Sequence, residues 1–171
     1  MLSPKITDAL NGQINAEIYS AYLYMSMATW FEEKQLPGFA NWMRVQVKEE
    51  MTHALRFHNF VNDRGARVTL SAIDGPPTDW DSPLAVFEAT LKHEQKVTGL
   101  INDLMALAVA EKDFASQGML QWFVDEQVEE EANATDLVGK LTLMQDAPGG
   151  LFMLDKDLAA RVFTPPVDMV V

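Results

Sequence analysis

The sequence predicts an all-α fold: four long helices in one bundle, with a single long crossover and a short fifth helix at the C-terminal end. Three observations carry this. Apolar residues recur at helical spacing through four long stretches. Tight breaks separate the first stretch from the second and the third from the fourth. Between the two pairs lies one segment rich in Gly, Pro, Ser and Asp.

Residues 4–35 open with Ser3 as a cap and Pro4 at the first helical position, and keep their period until Leu36-Pro37-Gly38 interrupts it. Residues 38–64 form the second helix, which Gly65 ends, and the short connection makes the two antiparallel neighbours. The segment 65–82 is too long for a turn. About eighteen extended residues at roughly 3.3 Å each can span about 60 Å, more than a helix of about 27 residues at 1.5 Å per residue. It can therefore run the length of the bundle. Helices over 83–110 and 113–144 follow, with a break near Lys112, and Ala147-Pro148-Gly149-Gly150 stops the fourth. A brief fifth helix over 153–163 and a Pro-containing tail complete the chain. At 171 residues one well-buried domain over 1–171 is expected.

A hydrophobic fraction of 48% supports a built core. The absence of cysteine excludes disulfides, thiolate metal sites and thiol nucleophiles, which leaves His and carboxylates as the available metal ligands. A net charge of −12 disfavours nucleic acid and anionic membrane as partners and suits cations. No apolar run has the form of a secretion signal or a transmembrane span, so a cytoplasmic location is expected.

Each helix places one acid on its apolar stripe. In the first, Glu17 falls among Ile6, Leu10, Ile14, Ala21, Ala28 and Phe31, with Tyr24 further along. In the second, Glu50 lies among Phe39, Met43, Ala54, Phe57 and Val61, with His53 three residues on. Glu94 sits among Phe87, Leu91, Ile101 and Met105, and Glu130 among Met119, Phe123, Ala134, Leu137 and Leu141. The break near Lys112 lies midway between Glu94 and Glu130, and the break near Gln35 close to midway between Glu17 and His53, so all five meet at one height. Burying several ionised carboxylates together costs several kcal/mol each unless they are paired. No Lys or Arg falls on these stripes near that height. Two divalent ions would neutralise four acids, and oxygen-rich ligands with one imidazole suit iron or manganese better than structural zinc.

The segments "NAEIYSAYLY", "KEEMTHALRF", "KHEQKVTGLIN" and "LQWFVDEQVEEE" resemble those of the bacterial non-haem ferritins, from Met1 to about Ala160. The tail "TPPVDMVV" does not share the resemblance. The resemblance implies that Glu17, Glu50 and His53 hold one iron, that Glu50 bridges to a second held by Glu94 and Glu130, and that Gln127 sits beside the second. It also implies a third iron site at Glu49, Glu126 and Glu129, and a role for Tyr24 as electron donor or hydrogen-bond partner. The implied activity is ferroxidation, in which Fe(II) is oxidised by dioxygen or hydrogen peroxide and Fe(III) is stored as mineral inside a shell of twenty-four subunits.

The fourth helix departs from the di-iron oxygenases and haem-binding bacterioferritins: it carries Gln127-Val128-Glu129-Glu130 where those carry a second Glu-x-x-His. Fewer ligands suit iron in transit. Met51 stands where bacterioferritins place a haem ligand, but it points outward, so subunit packing is expected and haem is not. Outward apolar residues Tyr19, Tyr22, Leu23, Val45 and Leu55 argue for assembly. The rival readings are a di-iron oxidase or peroxidase that retains its iron, a haem-binding bacterioferritin-like protein, a DNA-protecting mini-ferritin with its site between subunits, and a helical interaction protein without metal.

Overall fold

A computed structural model describes residues 1–144, 147 and 149–166. Its helices are α1 (Pro4–Glu33), α2 (Pro37–Asp63), α3 (Pro83–Ala110), α4 (Phe114–Met144) and α5 (Gly150–Leu158), and the described residues contain no strand. The fold is an all-α four-helix bundle with a short fifth helix. Two N-termini follow the same local chemistry. Ser3 and Ser82 accept hydrogen bonds from the backbone N–H of Ile6 and Ala85, and each is followed by proline, whose missing N–H costs nothing at that position. The reversals after α1 and α3 turn on Gln35 (φ 61°) and Lys112 (φ 55°), both left-handed without being glycine.

The first four helices lie within a residue or two of their predicted ranges, but the fifth is displaced. It was expected over 153–163 and occupies Gly150–Leu158. Gly149, at φ 84°, supplies a left-handed residue directly before it, so the helix starts sooner, and the chain leaves it at Ala159. The predicted break at 147–150 lies partly outside the described residues, as does the end of the tail.

Residues 64–82 carry no regular structure and run along α1. Ser26 donates to the Pro77 carbonyl at 2.6 Å, Trp30 Nε1 to Asp79 at 2.9 Å and Asn11 Nδ2 to the Arg67 carbonyl at 3.2 Å. At the opposite end, Arg64 makes a two-pronged pair with Asp113 at 3.0 and 2.9 Å, and Asp113 also accepts from the Ser116 N–H, capping α4. No described helix is long and apolar enough to cross a membrane.

The interior is two apolar clusters with a polar layer between them. One gathers Trp30, Phe31, Phe39, Trp42, Phe87 and Leu141 beneath α5. The other gathers Leu10, Ile14, Phe57, Val61, Ile101 and Phe123. Most predicted stripe residues are buried, whereas Leu91, Met105 and Met119 sit at the edge because the true seam of α3 runs through Val97, Leu104 and Ala108 and that of α4 through Leu120. Three of the residues expected to face outward need correction. Leu23 and Val45 are buried, and Tyr19 is half-buried against the core. Leu23 joins the cluster of Trp30, Phe31 and Phe39, and packing in a bundle covers more of each helix than one stripe. Tyr22, Met25, Met51 and Leu55 are the large apolar residues that remain open to solvent on these two helices.

Candidate metal centre

Between the two apolar clusters lie buried Gln13, Glu17, Ser20, Gln46, Glu50, His53, Glu94, Gln127 and Glu130. The expected acids Glu17, Glu50, Glu94 and Glu130 are at most 4% exposed, so each has lost nearly all its hydration. Among the described residues no Lys or Arg is buried with them.

Glu17, Glu50 and His53 converge. One ligand atom from each lies within 4.8 Å of the others. His53 Nδ1 is 3.5 Å from Glu50 Oε2 and 3.9 Å from Glu17 Oε2, while its Nε2 is 3.9 Å from Glu126. Those same two carboxylate oxygens, Glu17 Oε2 and Glu50 Oε2, are buried without a hydrogen-bond partner. A buried oxygen left unpaired is costly, and two of them facing one imidazole nitrogen form the donor set that a divalent cation takes.

Glu94 and Glu130 face the same layer, with both Glu94 oxygens and one Glu130 oxygen engaged. Tyr24 Oη donates to Glu94 Oε1, Gln127 Nε2 to Glu94 Oε2 at 3.2 Å, and Gln46 Nε2 to Glu130 Oε2 at 2.9 Å. Gln127 also reaches the Glu94 carbonyl at 3.2 Å and Thr98 at 3.3 Å. The two halves of the layer therefore differ: one presents open oxygens, and the other is held by neutral donors.

Burial dominates the protonation of every acid here. Glu17 is pushed up to about 7, mainly by burial, with hydrogen bonds from Glu50 and Gln13 opposing. Glu50 is pushed well above the carboxylate range by burial and then by the charges of Glu94, Glu17 and Glu130. The two share a hydrogen bond, and burial raises both. Glu130 and Glu94 are also raised by burial, Glu94 against the hydrogen bonds of Tyr24 and Gln127. Burial raises the Tyr24 phenol, which stays protonated and can donate. His53 is lowered to about 4 by burial and then by Arg56, so its ring is neutral near pH 7 and has a lone pair to offer.

The flanking acids stand apart from this set. The Glu49 and Glu126 side chains are 21% and 26% exposed, and Glu129 is exposed. Glu49 is not free, because Arg161, from the chain just beyond α5, pairs with it at 2.8 Å. Arg161 lies on none of the four helical stripes, so no period in the sequence brings this cation to the acids. Also unanticipated were Gln13, Gln46 and Ser20, which line the layer, and His93, whose Nε2 lies 2.8 Å from Ser20 Oγ and whose ring packs edge-on to Tyr24. Gln13 lies one turn before Glu17, a spacing from which an amide donor to Glu17 could have been read. Trp122 stacks edge-on against His53 and beneath the Arg56 guanidinium, walling the layer.

Comparison with known proteins agrees with this architecture. A family model described as Ferritin-like domain matches residues 7–144. The chain is similar to a bacterial non-heme ferritin of Bacteroides fragilis, 44% identical over 94% of this chain and 100% of that one. It is also similar to a bacterial non-heme ferritin of Staphylococcus aureus, 39% identical over 95% and 98%. Among solved structures, an open pore ferritin from the hyperthermophilic archaeon Archaeoglobus fulgidus superposes with a TM-score of 0.94 at 54% identity, over 95% of this chain and 100% of that one. With its four-helix bundle and a carboxylate-imidazole cluster in the seam, the chain belongs to the ferritin-like family.

Proposed function

We propose that this chain is a subunit of an iron-storage assembly that oxidises Fe(II) within its own bundle and passes Fe(III) to a mineral. The observation that carries the reading is the convergence of two unpartnered buried carboxylate oxygens, Glu17 Oε2 and Glu50 Oε2, on His53 Nδ1. Fe(II) is the substrate. Glu17, Glu50 and His53 receive the first ion, and Glu50 bridges to a second held by Glu94 and Glu130. Gln127 orients Glu94, and Tyr24 holds its other oxygen, ready to supply a proton or an electron. Two Fe(II) give up two electrons, which with two protons take dioxygen to hydrogen peroxide, or hydrogen peroxide to water. Burial and mutual repulsion favour the protonated forms of Glu50 and Glu130, so ion binding displaces protons at the place of reduction. Once deprotonated, they favour the more highly charged ferric product.

The second half of the layer suits transit. Gln127 spends its amide on Glu94, where a second Glu-x-x-His would have added a bridging acid and an imidazole. The open apolar residues Tyr22, Met25, Met51 and Leu55 support packing against other copies in a shell of twenty-four. Anaerobic Fe(II) titration of wild type against Glu50→Ala tests the site: loss of the tightest binding is expected, and equal binding overturns the reading. Aerobic loading tests storage. Iron accumulating far beyond three per subunit is expected, whereas uptake that stops at two, firmly retained, means a resident di-iron oxidase.

A further inference from the structure

The flanking acids already hold a cation that belongs to the chain. Arg161 Nη2 lies 2.8 Å from Glu49 Oε2, and its Nη1 donates to the Trp42 carbonyl at 3.3 Å. The guanidinium also stacks 4.5 Å over the Trp42 ring. Its backbone is fixed as well, since Asn41 Nδ2 donates to the carbonyls of Leu158, Ala159 and Arg161 at 3.2, 3.4 and 3.0 Å. One helical segment further back, Asp155 Oδ1 accepts from the backbone N–H of both Gly38 and Phe39 at 2.8 and 3.0 Å. Arg161 is thus delivered to Glu49 by a docked segment, and the pair is about four-fifths shielded from solvent on each side.

Glu49 is at a crossroads of negative charge. It is close enough to raise Glu126, Glu94 and Glu130, and Glu129 in turn raises Glu49. A divalent ion binding beside Glu49, Glu126 and Glu129 would draw on the same Glu49 carboxylate whose Oε2 Arg161 now holds. Both cations cannot take the same lone pairs at full strength.

We propose that Arg161 is a tethered counter-ion of Glu49 which competes with a divalent cation at the flanking acids, so that occupancy of this third position is conditional on Arg161 leaving Glu49. This rests on the third iron site that the resemblance to the bacterial non-haem ferritins implies at Glu49, Glu126 and Glu129, beside the pair proposed above. It makes the segment after α5 a positioning element for iron that leaves the pair. The guanidinium has somewhere to stay when displaced, because the Trp42 carbonyl and ring can still hold it.

The test is calorimetry and equilibrium dialysis of the intact assembly with Zn(II), a redox-inert probe, on wild type, Arg161→Gln, Arg161→Lys and Glu49→Gln. Arg161→Gln removes the charge but keeps an amide that can donate to the Trp42 carbonyl, which guards against simple undocking. The third equivalent is expected to bind about three- to tenfold more tightly in Arg161→Gln than in wild type, with the first equivalent unchanged and the second shifted by less than the third, since the Arg161 charge also reaches Glu130. Arg161→Lys, still cationic, should stay within about twofold of wild type. Third-equivalent affinity that is unchanged or weakened in Arg161→Gln overturns the proposal, and so does equal tightening of all equivalents. Glu49→Gln separates the two layers of the argument: a third equivalent that survives it undiminished places the ion elsewhere and sinks the flanking-site reading itself.

Discussion

Gly38→Ala is expected to undo the docking of α5, although Gly38 is far from any acid of the centre in sequence and alanine is the better helix former. A Cβ built on Gly38 would overlap the carbonyl oxygen and carbon of Asp155 and lie 3.0 Å from its Cγ. The obstacle is backbone, so a rotamer change cannot relieve it, and α5 must move away. Moving it breaks the two hydrogen bonds from Gly38 and Phe39 to Asp155, which are the N-terminal cap of α2, since Leu36 offers none. Losing a helix cap costs about 1–2 kcal/mol. Loosening buried Leu154 and Leu158 forfeits part of roughly 1.5–3 kcal/mol apiece, against a gain from alanine of at most about 1 kcal/mol. A net loss of about 2–4 kcal/mol follows. Urea denaturation measures it, and hydrogen exchange over 150–161 locates it, since protection should fall there first. Asp155→Ala should cost only the cap, about 1–2 kcal/mol, because it introduces no clash. Gly118→Ala in α4, where an added Cβ meets nothing within 4 Å, should stabilise by about 0.5–1 kcal/mol. A Gly38→Ala protein with wild-type stability and full protection of α5 would refute the geometry.

Three further outcomes depend on charge. Glu17, Glu50, Glu94 and Glu130 have folded-state pKa values above the ordinary 4.5, so their contribution to stability is complete below that value and is lost as pH rises, for Glu17 through about 7. Metal-free protein should therefore show a lower denaturation midpoint at pH 8 than at pH 5, and Glu50→Gln should flatten the decline; a midpoint rising over that interval contradicts the assignment. Zn(II) binding at pH 6 should release protons from the carboxylates and none from His53, which is already neutral above about 4. Calorimetry in buffers of differing ionisation enthalpy would expose a zero release as failure. Asp113 behaves oppositely: its carboxyl is held below 3.8 chiefly by Arg64, so the pair stabilises above that value and is lost as pH falls. Arg64→Ala should cost about 1–2 kcal/mol at pH 7 and much less at pH 2.5, where an undiminished cost would show that packing, not charge, is the cause.

The four long helices were legible in the sequence because caps, breaks and apolar period agree at nearly every boundary, from Ser3-Pro4 to Ser82-Pro83. The fifth was misplaced because its start depends on the left-handed Gly149, which sequence alone allows as either a stop or a start. Glu17, Glu50, Glu94 and Glu130 were conspicuous as acids on apolar stripes, and all four are buried in one layer. Their amide donors were not, because a buried glutamine such as Gln46 carries no charge to look anomalous. Arg161 was invisible for another reason. It reaches Glu49 across 112 residues through a short docked helix, and no helical period links the two.

The distribution of those donors orders the acids by their need for a cation. Glu17 has the Gln13 amide at 2.8 Å, Glu94 has Tyr24 and Gln127, and Glu130 has Gln46. Each neutral donor steadies a carboxylate without cancelling its charge, so the acid remains a ligand and the metal-free bundle still folds. Glu50 differs. Its hydrogen bond runs to Glu17, itself an acid, where the other three accept from an amide or a phenol; its Oε2, like that of Glu17, is unpartnered. It is also pressed by three other carboxylates, so the protein supplies it with repulsion where its neighbours receive donors. Of the four, ionised Glu50 is the one least supported without an ion. It follows that Glu50→Gln should stabilise the metal-free bundle at pH 8 more than Glu130→Gln does, because the latter discards the acceptor of Gln46 along with the charge. If the order were reversed, the position that the fold leaves most dependent on a cation would be Glu130, and the bridging assignment would move with it.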